Sequence, residues 1–390
     1  MGEEARDLEA SPRPSLRAPT LGYLVDHNVN WSWFTCTQST GAVAIALSQC
    51  PKQFRGLQTI GAAVFVFNLA LWLAFTALMA LRWARRPSSV RRCFTQPPEC
   101  FFWPSFLLTL ATVVACAHRF GAPHCGPWLT TAVRVCFWAY AGVSFVSTTA
   151  HFAVVFRHTP VTALDMNPAW LLLVYGTMLT GTLAAIIAEG QPEEHRLPVI
   201  VAGVAYQGFG WVAALLVLPW YLGRLMERGW PAPSLAPGLF ITVGASGYTI
   251  AALIGNAQAV PAGRGYFAAH PSAPEVLLVL ATWAGIFLWL FTLWLFGIAL
   301  IMTLGQVAKW EDGRWVLCMS FNNTFWALVF PNVGFTLGTI YLGQQLESEA
   351  ILWVSTVVII LLVIVWLLDM YLAAKNAFFT LFRGSKSSLL

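Results

Sequence analysis

Ten apolar segments divide this chain of 390 residues and constrain its fold more than any other feature. Most are long enough to cross the hydrocarbon core of a bilayer as a helix, which needs roughly 20 apolar residues. Only 10% of the residues are charged, too few for a soluble fold with this much apolar surface. The sequence therefore predicts an all-α polytopic membrane protein with ten transmembrane helices. The segments are 31–49, 58–82, 102–118, 128–156, 167–188, 197–223, 237–259, 275–304, 316–342 and 350–374.

The distribution of basic residues predicts the orientation, because cytosolic loops carry an excess of lysine and arginine. With ten spans and both termini in the cytosol, 16 of the 22 basic residues lie inside. The first segment is the weakest by hydropathy, but omitting it would move three N-terminal arginines outside and weaken this bias. The inside residues are Arg6, Arg13, Arg17, Arg82, Arg85, Arg86, Arg91, Arg92, Arg157, Arg224, Arg228, Lys309, Arg314, Lys375, Arg383 and Lys386, and the outside ones are Lys52, Arg55, Arg119, Arg196 and Arg264.

The polar ends of the chain set the expected domain boundaries. Residues 1–27 are polar, contain prolines and have mixed charge, which predicts a disordered cytosolic tail. Residues 28–375 form the ten-helix domain, and 376–390 a short cytosolic tail. No soluble domain with a basic face is present, which argues against nucleic-acid binding, and no large loop or tail is available for a scaffolding role.

The sequence offers no catalytic or metal-binding pattern. The eight cysteines show neither a CxxC pair nor Cys/His metal spacing, and nothing in their pattern supports a disulfide among Cys50, Cys116 and Cys125. Paired carboxylates, a histidine cluster or a nucleophile motif at one membrane depth are also missing. We therefore expect no enzyme and no cofactor.

Small and hydroxylated residues concentrate in the odd-numbered segments, while the even-numbered ones are mostly longer and smoother. Such residues either let membrane helices pack closely or line a polar path. Their alternation favours five two-helix hairpins with the odd helices around a central pore. Examples are Thr37–Gly41, Pro104–Ser105, Gly176–Thr182, Gly244–Gly247 and Asn322–Gly334.

Arg134 is the one basic residue within a segment, about two turns from the outer surface. It either snorkels outward or pairs with a backbone carbonyl, or it faces a path and binds a carboxylate bidentately. His151 either titrates near neutral pH or packs near the inner interface. No acidic residue falls at the centre of a segment, with Asp369 near the inner end of the tenth. A path with hydroxyls, amides and one arginine suits an anion better than a cation.

Several stretches, in order over residues 28–375, resemble the fungal malic acid permeases of the tellurite-resistance/dicarboxylate transporter family, which is distantly similar to plant slow anion channels. They are Thr35–Gly41, Asn167–Trp170, Met178–Thr182, Leu197–Gly203, Gln207–Gly208, Gly223–Met226, Pro231–Pro233, Pro237–Ile241 and Phe330–Phe335. The resemblance implies ten helices in five hairpins around a pore lined by odd-numbered helices, commonly in a homotrimer. It also implies transport of malate, succinate and similar C4-dicarboxylates, which we expect at the plasma membrane.

The resemblance and the polar pattern together predict the site residues. Related anion channels close the pore with a phenylalanine on the ninth span, and Phe330 matches it, although it could also be a packing aromatic. The chain departs from the expected pattern at Gln38 and at Asn322–Phe325, which leaves the substrate open. A sulfite efflux pump or a passive anion channel of the same superfamily is the alternative. The predicted substrate-binding residues are Arg134, Ser39, Thr40, Thr177, Thr180, Ser246, Asn323 and Asn332.

Overall fold

The computed structural model describes residues 21–158, 162, 165–311 and 313–383, and they are mostly helical. One small antiparallel hairpin is present, β1 (Ala308–Glu311) with β2 (Arg314–Leu317). The helices are α1 (Leu21–Asn28), α2 (Phe34–Ser48), α3 (Leu57–Arg85), α4 (Ser88–Thr95), α5 (Trp103–Cys116), α6 (Pro127–His158), α7 (Leu172–Ile187), α8 (Glu193–Arg228), α9 (Ile241–Gln258), α10 (Tyr266–Ala269), α11 (Ala273–Leu304), α12 (Phe330–Gln345) and α13 (Glu349–Arg383).

Nine helical segments in the described part of the chain are long and apolar enough to cross a membrane. This confirms the prediction of an all-α polytopic membrane protein. The first predicted segment is also helical, but α2 has only 15 residues and is preceded by a 3-10 turn, Trp31–Trp33. At 1.5 Å per residue it is shorter than the roughly 30 Å hydrocarbon core. Because nearly all of its side chains are buried, neighbouring helices cover it instead of lipid.

Burial divides the helices into two alternating sets. In the most apolar stretch of the segments that contain α5, α7, α9 and α12, 67% to 100% of the residues are buried. In α3, α6, α8, α11 and α13 the share is only 11% to 33%. We call α2, α5, α7, α9 and α12 the inner helices and the other five the outer helices. An apolar helix that leaves most of its surface uncovered needs lipid or a partner around it.

The inner helices contact one another in a closed ring, in the order α2, α5, α7, α9, α12 and back to α2. Hydrogen bonds cross the ring contacts: Thr37 and Thr109 share one at 2.8 Å, and Tyr175 Oη donates to the Ile241 carbonyl at 2.6 Å. Each inner helix also contacts the next long helix along the chain, which is an outer helix. Polar residues therefore hold the ring together at points where lipid does not reach.

The closest contact in the ring, between α9 and α12, depends on glycine. A Cβ atom added to Gly247 would lie 2.5 Å from the backbone nitrogen of Phe335. One added to Gly334 would lie 2.5 Å from Cδ2 of Tyr248. Small residues allow membrane helices to approach this closely, so these two positions fix the α9–α12 distance.

The structure corrects several predicted boundaries. Residues 21–27, expected within the disordered tail, belong with Asn28 to α1, whose Asp26 pairs with Arg85 and Arg86 at the end of α3. At the other end α13 continues to Arg383. The rest of both predicted tails, residues 1–20 and 384–390, lies outside the described residues. The N-terminal end is helical because α1 contacts α3, and the C-terminal end is helical because it continues α13.

The predicted ninth segment, 316–342, begins too early. Residues 314–317 belong to β2, and a 3-10 turn, Asn323–Leu328, precedes α12. Pro331, which lies inside the predicted segment, is the second residue of α12, where a missing backbone N–H costs no hydrogen bond. The apolar residues before Asn322 misled the prediction, because hydropathy does not distinguish the end of a short strand from the start of a helix.

Candidate functional site

A cavity of about 390 Å³ opens where the inner helices end, and we call it the C-terminal vestibule. Residues at or just beyond the C-terminal ends of all five inner helices line it, among them Ser48, Arg119, Glu189, Gln258 and Tyr341. Its volume falls within the range of small-molecule sites. Because α2 ends there together with the other four, all five inner helices run in the same direction.

Below the vestibule, on the axis of the ring, lies a second and much smaller cavity, which we call the constriction. It holds about 20 Å³ and is lined by residues of all five inner helices. Most of these residues are aliphatic or alanine, and Thr112, Thr182 and Tyr248 are the polar ones. A space of this volume holds about one water molecule. This structure is therefore closed to any organic anion at the constriction.

Phe330 lies one turn from the constriction on the same face of α12. Phe330, Val333, Leu337 and Tyr341 follow one another at intervals of three or four residues, and Val333 and Leu337 line the constriction. The Phe330 ring is 1% exposed and lies 5.1 Å from the ring of Tyr248. Tyr248 Oη also donates a hydrogen bond to the Phe330 carbonyl at 2.9 Å. These contacts hold a bulky ring one turn from the constriction.

The opposite mouth of the ring is formed by helix N-termini. A 3-10 turn precedes each inner helix, and three of these turns start with an asparagine that caps the first backbone N–H groups: Asn30, Asn167 and Asn322. Helix N-termini carry partial positive charge and free N–H donors. Five parallel N-termini therefore make this mouth favourable for anions.

The predicted hydroxyl ligands on the inner helices mostly contact outer helices. Trp366 of α13 donates a hydrogen bond to Thr40 at 3.0 Å. Thr177 lies 2.7 Å from the Thr148 hydroxyl of α6, and Thr180 lies 3.5 Å from that of Ser144. Their hydroxyls thus face away from the axis, as expected for residues that join helices.

The other predicted polar residues lie near the N-terminal mouth or within their own helices. Ser39 donates to the Trp326 carbonyl at 3.1 Å, and Asn323 donates to the Ser32 hydroxyl at 2.7 Å. Ser246 contacts a carbonyl of its own helix at 3.5 Å. Asn332 donates to Leu328, and its amide oxygen is buried without a hydrogen-bond partner in the described residues. None of these side chains lines the constriction or the vestibule.

Arg134 lies on the outer helix α6, half-buried, and outside both cavities. Its guanidinium is 3.4 Å from the side-chain oxygen of Gln191, whose carbonyl also accepts a hydrogen bond from Arg196. The same loop carries Glu189 into the vestibule. Arg134 therefore contacts the vestibule only through the loop that follows α7.

Sequence reasoning gave no role to two residues at the axis. Arg119 was counted only as an outside charge, but it lines the vestibule. Gln38, noted as a departure from the family pattern, lies one turn before Ala42, which lines the constriction, and its amide oxygen is buried without a described partner. The departure at Gln38 was the signal that could have identified this residue. A polar residue in place of an apolar one on the inner face of α2 puts an amide group beside the path.

Asp369 corrects the expectation that acids lie only at span ends. Because α13 extends to Arg383, Asp369 lies well within it, 1% exposed, and neither carboxyl oxygen has a hydrogen-bond partner in the described residues. Its neighbour Met370 contacts Cys36 of α2. The buried carboxyl thus lies behind α2 and lines neither cavity.

His151 lines neither cavity, and Cys50 is the cysteine that lines the vestibule. His151 is buried on α6, where it lines a groove on the outer surface of the ring. All eight cysteines are free thiols, so Cys50, Cys116 and Cys125 form no disulfide.

Comparison with known proteins agrees with this architecture. The family model for the voltage-dependent anion channels, SLAC1, matches residues 28–374. A malic acid transport protein of Schizosaccharomyces pombe is 28% identical over 88% of this chain and 77% of its own length. A putative malic acid transport protein of the same yeast is 25% identical over 89% of this chain and 79% of its own length.

A sulfite efflux pump of Trichophyton rubrum is 25% identical over 87% of this chain and 88% of its own length. The resemblance to fungal malic acid permeases is therefore confirmed, and these relatives are transporters or channels and not enzymes. The match over nearly the whole membrane domain shows that the chain belongs to the SLAC1 family of voltage-dependent anion channels.

Proposed function

We propose that this protein transports C4-dicarboxylates, malate and succinate among them, through the axis of the inner-helix ring. One observation carries the proposal: a closed ring of five helices encloses a constriction between two mouths, one made of helix N-termini and the other containing Arg119. Positive charge or free N–H groups at each mouth suit an anion. The substrate class comes from the similarity to the malic acid transport proteins.

In this proposal all ten helices cross the membrane as five hairpins, each with one inner and one outer helix. The parallel direction of the inner helices supports this arrangement, because α2 must then run from the same side as the other four. The distribution of basic residues favours both termini in the cytosol, which would place the vestibule outside. The exposed apolar faces of the outer helices would contact plasma-membrane lipid and the neighbouring subunits of a homotrimer.

Phe330 is the proposed gate. Its ring would move off the axis together with the Tyr248 ring, since the two are in contact. Of the predicted polar residues, Ser39, Asn323 and Asn332 lie toward the N-terminal mouth and would meet the anion there. Thr40, Thr177, Thr180 and Ser246 would keep the inner helices in place, which affects transport indirectly.

Uptake of labelled malate tests the function. Cells that express the full chain should take up labelled malate well above cells with an empty vector, and unlabelled succinate should compete. Expression at the cell surface without uptake above the control would contradict the proposal. Uptake at two external pH values, with and without an imposed proton gradient, would then separate proton-coupled from passive flux.

Sulfite export is the second candidate, because the sulfite efflux pumps also match along most of the chain. A yeast strain that lacks its own sulfite exporter should stay sulfite-sensitive when it expresses this chain, if dicarboxylates are the substrate. Restored growth on sulfite together with absent malate uptake would favour the sulfite pump.

Arg134 has a smaller expected effect than its place within a predicted segment suggested. Since it acts on the vestibule through Gln191, Arg134→Ala should lower malate uptake by a modest factor, about twofold to fivefold, which corresponds to a net hydrogen bond of roughly 0.5–1 kcal/mol. The measurement is uptake normalised to surface expression. A complete loss of uptake with normal expression would instead assign Arg134 to the binding site.

A further inference from the structure

We infer that Arg119 and Tyr341 form a carboxylate-binding site in the C-terminal vestibule, which selects the anion before it enters the constriction. This inference rests on the proposed transport of dicarboxylates. It adds the residues that capture the substrate and the side of the membrane on which they act.

The first argument is how the chain positions Arg119. The residue lies in a π-helical turn, Ala117–Gly121, that extends α5. Its two neighbours are seated against glycines of other helices or loops: Phe120 against Gly61 of α3, where an added Cβ would lie 2.7 Å from the ring, and His118 against Gly190. With both neighbours held by these contacts, Arg119 lines the vestibule. Turns of this kind are rare in proteins as a whole, but those that occur are often at functional sites.

The second argument is the set of hydrogen-bond donors in the vestibule. Nε of Arg119 is buried and has no hydrogen-bond partner in the described residues, and neither has Nε2 of Gln49 in the same cavity. The Tyr341 hydroxyl lies beside Arg119 and contacts Gly255, where an added Cβ would be 3.2 Å from the oxygen. Buried donors without acceptors cost free energy, which a bound carboxylate would recover. These donor groups line one cavity, where together they can serve the several oxygens of a carboxylate ligand.

The third argument is electrostatic. The C-terminal ends of five inner helices meet at the vestibule and bring partial negative charge to it. Glu189, the acidic residue among the described residues that line this cavity, adds to that charge. Arg119 is the corresponding basic residue among those that line the cavity, and it offsets a field that would otherwise repel anions. A guanidinium can also hold a carboxylate with two parallel hydrogen bonds.

The test is the concentration dependence of labelled malate transport by the full chain in cells, measured for uptake and for efflux. Arg119→Gln should raise the KM of uptake by about tenfold or more, because charge-assisted hydrogen bonds are lost. The KM of efflux, where malate enters from the N-terminal mouth, should change by less than about threefold. Arg119→Lys should recover part of the affinity, and Tyr341→Phe should raise the KM of uptake with a folded protein.

Arg55→Gln is the matched control, since Arg55 is an exposed outer arginine that does not line the vestibule. It removes the same charge from the same side and should leave both KM values unchanged. An unchanged uptake KM in Arg119→Gln, or equal rises for uptake and efflux, would overturn the binding site while the proposed function stands. Absence of malate transport by the unaltered protein would overturn the proposed function, and this inference with it.

Discussion

Phe330→Ala should raise malate currents by about tenfold to a hundredfold. The closed structure buries the Phe330 side chain almost completely, and burial of a phenylalanine stabilises by roughly 1.5–3 kcal/mol. If opening exposes the ring, its removal shifts the balance between closed and open states by that amount. The measurement is the steady-state current carried by malate in cells under voltage clamp, normalised to surface expression.

Phe335→Ala is the control for this experiment. Phe335 belongs to the same helix, but its ring contacts Trp289 and Phe296 of the outer helix α11. Its truncation should destabilise the protein without opening the axis, so normalised currents should stay close to those of the unaltered chain. Equal currents in both variants, or no increase in Phe330→Ala, would reject the gate.

Gly247→Ala should abolish transport by pushing α9 and α12 apart. The added Cβ would lie 2.5 Å from the backbone nitrogen of Phe335, so a backbone must move instead of a side chain. Overpacking of this kind costs about 1–3 kcal/mol and sometimes more, a large fraction of the stability of a folded protein. A lower unfolding temperature in detergent, less protein in the monodisperse size-exclusion peak and absent malate uptake are the expected results.

Two other glycines serve as controls for that variant. Gly208 of α8 and Gly297 of α11 lie on outer helices, and an added Cβ at either meets no atom within 4 Å. Gly208→Ala and Gly297→Ala should therefore keep the unfolding temperature and the uptake of the unaltered chain. If Gly247→Ala behaves as these two do, the close α9–α12 contact is not what holds the ring.

The sequence predicted the membrane helices and their alternation because both depend on composition. Hydropathy marks α11 and α13 without ambiguity, and the small and hydroxylated residues in the segments that became α7 and α9 indicated burial by protein. The presence of hydroxylated residues does not predict the direction in which each hydroxyl points. A threonine that joins two helices and one that faces a path have the same residue type, and Thr177 and Thr180 face α6.

The residues at the axis were harder to predict for a different reason. Arg119 follows an apolar segment and was expected to be an ordinary outside charge, because a regular α-helix gives no reason to turn it inward. The π turn that directs it depends on glycines 58 or more positions away in sequence, Gly61 and Gly190. Such contacts come from tertiary packing and leave no local pattern.

The central claim is that dicarboxylates cross the membrane along the axis of this ring. The direct measurement is the flux of labelled malate and of sulfite into proteoliposomes that contain only the purified full-length protein, each compared with protein-free liposomes. The account predicts malate flux that succinate inhibits, with sulfite flux much lower. Sulfite flux without malate flux, or malate flux no higher than in protein-free liposomes, would contradict it.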